Sequence, residues 1–240
     1  MYKARTYRRW VEPKGLVPFE VIEKETDLAI SASKVLEAQA RAAVLTFRQD
    51  LENYIKMDRS FLTSLAPVDV RPDAPAIVKM MADAAFRAGV GPMAAVAGAV
   101  AEMVGRELLK YSGEVIVENG GDIFMKTDKK TVIGIYAGAS SPFTGKIALE
   151  VAPGDNGLGV CTSSGTVSHS LSFGKSDAVV IISEEASLAD AVATATGNIL
   201  KAPGDIEKAI NFAKSIKGIT GVLVIMKDKM GSWGDIKLIE

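Results

Sequence analysis

The chain has 240 residues, of which 48% are hydrophobic, one cysteine, and a formal net charge of −1. A nearly neutral chain has no general attraction for nucleic acid or an anionic membrane, so we expect neither as a partner. One cysteine excludes an intramolecular disulfide, and the charged N-terminus lacks the apolar segment of a signal peptide. The sequence therefore predicts a cytoplasmic protein, long enough for one compact unit with a substantial core.

The N-terminal part, residues 1–66, is predicted to hold an antiparallel β-meander followed by a long helix. Short runs of β-branched and aromatic residues at 5–11, 19–23 and 28–31 are separated by turn residues. From 33 to 58, apolar residues recur at steps of three and four, which is typical of an amphipathic helix. A polar, proline-bearing connection then leads to the larger part, residues 75–240, where we expect the ligand site.

That larger part begins with helices. Residues 75–87 form one, and the alanine-rich run after Gly89 must form a buried one, whose small side chains allow close approach of another backbone or a ligand. Glu102 and Arg106 are four positions apart and are predicted to form a surface or edge ion pair worth little energy.

Two polar segments interrupt the strands that follow. Asn119-Gly120-Gly121-Asp122 joins strands predicted at 114–118 and 123–126; it suits a type I′ hairpin, and it would also let a ligand reach backbone N–H groups. The segment 159–170 holds the only cysteine, the only histidine and six hydroxyl residues, which fits either a phosphate-binding loop or a polar edge strand. Cys161 and His169 could form a nucleophilic pair, but no third group or elbow motif marks one.

The C-terminal elements follow the same logic. Strands are predicted at 131–136, 147–151, 178–182 and 221–226, a helix from 205 to 214 is predicted to be capped by Asp205, and residues 227–239 are predicted to form a closing hairpin.

The most informative stretch is the small-residue helix predicted from Ser187 to Asn198. Asp190 and Thr194 are four positions apart and so lie on one helical face, where a carboxylate and a hydroxyl could bind a hard cation such as magnesium. Ser187 and Asp190 also have the spacing of a capping box, in which both would serve the helix terminus. The two interpretations can hold together.

Three motifs in fixed order resemble the ApbE superfamily, the FAD:protein FMN transferases. They are Asn119-Gly-Gly-Asp122, the Thr-Ser-Ser-Gly-Thr run at 162–166, and Ala-Asp-Ala-Val-Ala-Thr-Ala at 189–195. Over its whole length the chain is similar to the small cytoplasmic branch of this superfamily, whose function is uncharacterised. The resemblance implies an α+β fold, ApbE-like, with a mixed or antiparallel sheet and packed helices.

The resemblance also implies a site for FAD and Mg²⁺. It assigns the metal to Asp190 and Thr194, catalytic roles to His169 and Asp190, and contact with the flavin nucleotide to a larger set: Asn119, Gly120, Gly121, Asp122, Ser163, Ser164, Gly165, Thr166 and His169. The implied reaction is transfer of FMN from FAD to a protein threonine, with AMP as the leaving group.

Two departures from the family pattern favour an alternative. The transferases have His-x-x-Asp-Pro-x-Thr-Gly, whereas His169 is followed here by Ser-Leu-Ser-Phe-Gly-Lys, and Ala97 replaces the lysine before the glycine of the buried helix. The alternative is a non-transferase ApbE-like protein, or a partner in a protein complex that serves sulfur assimilation or homocysteine biosynthesis.

Overall fold

A computed structural model describes residues 15–152, 154–165 and 174–239. Its largest element is an eight-stranded sheet in which every neighbouring pair is antiparallel, in the order β1-β2-β3-β4-β7-β8-β9-β10. The strands are β1 (Val17–Glu23), β2 (Thr26–Ala32), β3 (Val115–Asn119), β4 (Asp122–Lys126), β7 (Leu158–Ser163), β8 (Ala178–Ser183), β9 (Ile219–Met226) and β10 (Lys229–Gly234).

A second, three-stranded antiparallel sheet has the order β11-β6-β5. Its strands are β5 (Thr131–Gly134), β6 (Ala148–Val151) and β11 (Lys237–Ile239). The helices are α1 (Glu37–Met57), α2 (Ser60–Thr63), α3 (Ala76–Ala88), α4 (Val96–Leu108), α5 (Ala186–Ile199) and α6 (Ile206–Ser215), with 3₁₀ turns at Pro92–Ala95 and Pro203–Asp205.

The two faces of the large sheet pack against different layers. Side chains alternate along a strand, so Val179 and Ile181 of β8 enter the core beneath the helices, while Val180 and Ile182 enter a second core beneath the small sheet. The result is a three-layer α+β architecture, which confirms the predicted fold class.

Most predicted elements are present, including the helices at 33–58 and 75–87 and the strands flanking the double glycine. The first predicted strand, 5–11, lies outside the described residues. No single helix in the described ranges is long and apolar enough to span a membrane; α3 and the segment Pro92–Leu108 reach the required composition only together, across a bend of 104°.

Two local predictions are wrong. The closing hairpin does not form, because β10 pairs with β9 whereas β11 crosses to β6 in the other sheet. Asp205 does not cap α6 through its side chain; its carboxylate accepts the N–H groups of Lys201 and Ala202 in the preceding turn. A strand, β7, does form at the start of the polar segment 159–170, but it lies between β4 and β8 rather than at an edge.

Candidate functional site

The double glycine forms a two-residue turn between β3 and β4. Gly120 and Gly121 have φ of +69° and +106°, the positive values that a type I′ turn requires at both central positions. The Gly121 N–H donates to the Glu118 carboxylate at 2.8 Å, and the Asn119 amide donates to the Ala97 carbonyl at 3.2 Å. The hairpin is thereby tied to the start of α4.

Asp122 is the first residue of β4, and its carboxylate is buried on the helix side of the sheet. It accepts the Thr162 N–H at 3.2 Å and interacts with the thiol of Cys161 on β7. Burial raises the pKa of Asp122 well above its usual range, and the negative charge of Asp190 raises it further, against the opposing effect of its hydrogen bonds.

Cys161 does not have the character of a nucleophile. Its side chain is fully buried and donates to the Ala186 carbonyl at 3.2 Å. Burial raises the pKa of the thiol well above its usual range, and the charges of Asp122 and Asp190 add to the effect. The thiolate, which is the reactive form of cysteine, is therefore disfavoured.

The capping box predicted for Ser187 and Asp190 is not formed. Helix α5 begins at Ala186, one residue earlier than expected, with Glu185 as its N-cap, and no side-chain capping bond is made by that residue. Ser187 is buried and donates both its N–H and its hydroxyl to Glu102 of α4, at 3.2 and 3.3 Å. Glu102, on a different helix, therefore accepts the Ser187 N–H that the capping-box spacing had assigned to Asp190.

Asp190 points instead at the beginning of α4. Its carboxylate accepts the Gly98 N–H at 2.9 Å, and the side chain is 9% exposed. Burial raises the pKa of Asp190 to about 7, although the N–H donors of Gly98 and Ala97 act in the opposite direction. The cluster of Asp122, Cys161 and Asp190 therefore retains protons at pH values where a surface aspartate is ionised.

Thr194 lies one turn after Asp190 in α5 and is half-buried, so the predicted pair does share a helix. Ser163 ends β7 and, with Ser164, is buried. The serine segment, Ser163–Gly165, is held to the residues just before β8, since the Gly165 N–H donates to the Ser176 carbonyl at 3.0 Å. Those residues in turn contact the end of α5, where a Cβ on Gly174 would be 1.9 Å from the Gly197 carbonyl oxygen. Thr166 and His169 lie outside the described residues.

Sequence comparison assigns the chain to a family. The family model described as "AbpE bacteria" matches residues 8–234. The UPF0280 protein of Methanococcus aeolicus is 45% identical over 221 residues, covering 90% of this chain and 88% of that one. The UPF0280 protein of Methanocaldococcus jannaschii is 43% identical over 222 residues, covering 90% of each. The chain belongs to the UPF0280 family.

Solved structures place the UPF0280 chain within the ApbE-like fold. The ApbE protein from Thermotoga maritima matches with a TM-score of 0.56 at 14% identity, covering 90% of this chain and 96% of that one. The apo form of the Pseudomonas stutzeri flavinyl transferase ApbE matches with a TM-score of 0.54 at 14% identity, covering 91% and 94%. This agreement confirms the predicted ApbE-like fold, and at such identity it establishes the fold alone.

The structure also brings in residues that motif spacing did not mark as part of the site. Glu102 is 2% exposed and contacts α5, whereas its partner Arg106, at 2.8 Å, is 43% exposed, so the predicted ion pair lies at the edge of the buried region. Gly98 touches α5 so closely that a Cβ there would be 2.3 Å from the Ala186 carbonyl oxygen. The only sequence signals for these contacts were the i,i+4 spacing of Glu102 and Arg106 and a glycine among alanines.

The described residues supply few ligands for a metal. They contain no group of three or more His, Cys, Asp or Glu side chains arranged to hold an ion. Asp190 and Thr194 would contribute one carboxylate and one hydroxyl. Magnesium commonly binds through one or two carboxylates and takes its other ligands from water and substrate phosphates, so this sparse donor set fits it when a nucleotide is present.

Proposed function

We propose that this protein binds a flavin nucleotide, FAD, together with Mg²⁺, at the place where the double-glycine hairpin, the end of β7 and helix α5 meet. The observation that carries the proposal is the buried carboxylate of Asp190, held at the N-terminus of α4 beside Asp122. Burying an ionised carboxylate costs free energy, and a bound cation with the opposite charge would offset that cost at Asp190.

One buried hydroxyl supports a polar ligand in this region. Ser176 and Thr196 have no hydrogen-bond partner for their side-chain oxygens among the described residues. Ser176 adjoins the candidate site, because its carbonyl accepts the Gly165 N–H, whereas Thr196 is two residues after Thr194 in α5 and points to a different face of that helix. An unpaired buried hydroxyl costs about 1–3 kcal/mol, so such groups call for an explanation, and a bound nucleotide is one.

We further propose flavin transferase chemistry, the activity in the name of the Pseudomonas stutzeri flavinyl transferase ApbE, with FAD as the donor in this protein. Asp190 and Thr194 would hold the Mg²⁺, which would supply charge neutralisation at the pyrophosphate. Ser163, Ser164 and the hairpin from Asn119 to Asp122 would contact the nucleotide, with Gly165, Thr166 and His169 completing the site.

The alternative is an ApbE-like protein without transferase activity, possessing the ligand site but acting in sulfur assimilation or homocysteine biosynthesis, alone or with a protein partner. Ala97 is the specific observation in its favour. It stands where the transferases have a lysine, and its carbonyl is occupied by the Asn119 amide. Position 97 therefore supplies no cation to stabilise a diphosphate.

A titration of FAD with and without Mg²⁺ tests binding, followed by flavin fluorescence and thermal unfolding. At 100 times its dissociation constant a ligand stabilises the native state by about 2.7 kcal/mol. We expect stabilisation by FAD that depends on Mg²⁺ in the wild type and loses that dependence in Asp190→Ala. Asp83→Ala, at a surface position on α3, is the control and should behave as wild type.

The absence of any shift with FAD, with or without Mg²⁺, would contradict the binding proposal. Measurement of AMP release from FAD then separates the two functions. Mg²⁺-dependent AMP release supports transferase-type chemistry, whereas tight FAD binding without AMP release in the presence of a threonine-containing acceptor protein supports the alternative.

A further inference from the structure

Helices α4 and α5 cap each other's N-termini. Asp190 of α5 accepts the N–H of Gly98, the third residue of α4, at 2.9 Å. Glu102 of α4 accepts the N–H of Ser187, the second residue of α5, at 3.2 Å. The first N–H groups of a helix have no partner within it, and here carboxyl oxygens from the neighbouring helix accept one of them at each helix start.

These contacts fix how far α5 can slide along α4. A Cβ on Gly98 would be 2.3 Å from the Ala186 carbonyl oxygen and 2.8 Å from the Asp190 Cβ, so the backbones are already in contact. Ser187 and Asp190 are three residues apart, which is less than one helical turn. A bond that holds Ser187 therefore also determines where the carboxylate of Asp190 lies.

Glu102 is itself held from the other side. Its second carboxylate oxygen accepts two bonds from Arg106, at 2.9 and 2.8 Å, and the Arg106 guanidinium lies 5.3 Å from the centre of the Phe124 ring. Because both oxygens of Glu102 have partners within the protein, its influence on a ligand would pass through α5.

We infer that Glu102 is a positioning residue for Asp190: it fixes the start of α5 and so places the Asp190 carboxylate where a divalent cation would bind. The inference rests on the proposed function, since it assigns Asp190 to the metal. Partners that orient a metal ligand without touching the metal typically change metal affinity by 10- to 100-fold when they are removed.

The test is a titration of Mn²⁺, as a paramagnetic substitute for Mg²⁺, into the full-length protein with saturating FAD, followed by the EPR signal of free Mn²⁺. Glu102→Gln retains the shape and one acceptor oxygen but loses the charge, and we expect it to weaken Mn²⁺ binding about tenfold. Ser187→Ala removes only the hydroxyl contact; because its backbone N–H bond remains, we expect a smaller loss in the same direction.

Two controls separate positioning from stability. Glu107→Gln makes the same change on α4 at a residue paired with Lys110 rather than with α5, and it should bind Mn²⁺ as wild type does. Val21→Ala creates a cavity in the core at β1 and should lower stability without changing Mn²⁺ affinity. If Glu102 contributes only to stability, Glu102→Gln should behave like Val21→Ala, with lower stability and unchanged Mn²⁺ affinity.

The outcomes are distinguishable. Wild-type affinity in both Glu102→Gln and Ser187→Ala would overturn the inference alone, because the metal would still bind. If Glu102→Gln does not fold, Ser187→Ala decides the question by itself. Failure of the wild type to bind Mn²⁺ at all would overturn the proposed function, and this inference with it.

Discussion

The two faces of the eight-stranded sheet have very different chemistry. The face beneath the small sheet is lined mainly by apolar side chains such as Met125 and Val180, which meet Leu149 of the facing strand β6. Glu118 of β3 is buried on this face as well and accepts the Gly121 N–H, while the ion pairs from Lys130 and Lys237 to Glu150 lie outside the core. The face beneath the helices buries the carboxylates of Asp122 and Asp190 among small residues.

This difference indicates that the face beneath the small sheet serves packing, whereas the face beneath the helices also carries the candidate site. An apolar core between two sheets stabilises the fold without further explanation. Buried carboxylates whose pKa values are raised oppose stability at neutral pH, and groups of this kind cluster at functional sites. The helix face is therefore where a ligand site is expected, and the following predictions test that contrast from the largest expected effect to the smallest.

The largest losses should come from leucine cavities on either face. Leu149→Ala and Leu188→Ala each truncate a side chain that is at most 1% exposed, and each should cost about 2–5 kcal/mol in a urea unfolding measurement. Only Leu188→Ala, in α5, should also weaken FAD binding. Equal weakening by Leu149→Ala would show that binding follows global stability rather than the helix face.

Close contact between α4 and α5 should make Gly98 intolerant of a side chain. Gly98→Ala places a Cβ 2.3 Å from the Ala186 carbonyl oxygen and should cost about 1–3 kcal/mol in thermal unfolding. Gly204→Ala is the matched control, because its Cβ would meet no atom within 4 Å. Similar stability of the two variants would contradict the close packing of the helices.

The raised carboxyl pKa values predict that stability falls as pH rises. With a folded-state pKa of about 7 against an unfolded value near 4, Asp190 contributes stability below about pH 4 that is lost as the pH rises through 7. The pKa of Asp122 is raised as well, so its contribution has the same sign. In this pH range the folded state binds more protons than the unfolded state, so the free energy of unfolding decreases as the pH rises.

Asp122→Asn removes one of these groups and should flatten the pH profile. Over the pH range in which Asp122 is protonated in the folded protein but ionised in the unfolded chain, the free energy of unfolding should fall less steeply with pH in the variant. The difference in slope should be up to about 1.4 kcal/mol per pH unit. Urea unfolding of both proteins between pH 5 and pH 8 measures it, with pH points spaced about one unit apart. Parallel profiles would show that Asp122 is ionised in the folded protein.

The smallest effect is expected at the exposed ion pairs of the small sheet. Lys237→Gln breaks a 2.8 Å pair with Glu150, yet Lys130 still pairs with the same carboxylate oxygen at 2.9 Å. Because exposed pairs are screened by solvent, we expect no change in unfolding beyond experimental error and no change in FAD binding. A clear loss of either would show that this face is coupled to the site.

Much of the secondary structure could be predicted because it depends on local patterns. The amphipathic spacing that predicted a helix at 33–58 is present in α1, and the glycine pair at 120–121 forms the expected turn. Strand pairing depends on partners that lie far apart in the sequence, so local patterns did not show that β11 pairs with β6 or that β7 pairs with β4.

The sequence by itself determined that a carboxylate and a hydroxyl lie one turn apart on a small-residue helix, because helical periodicity alone places Asp190 and Thr194 on one face. Only the tertiary structure decided what that helix contacts. Asp190 bonds to α4 rather than to its own helix end, Glu102 caps α5 from outside, and Asp122 is buried beside them. Such contacts join residues far apart in the chain, so no local spacing encodes them.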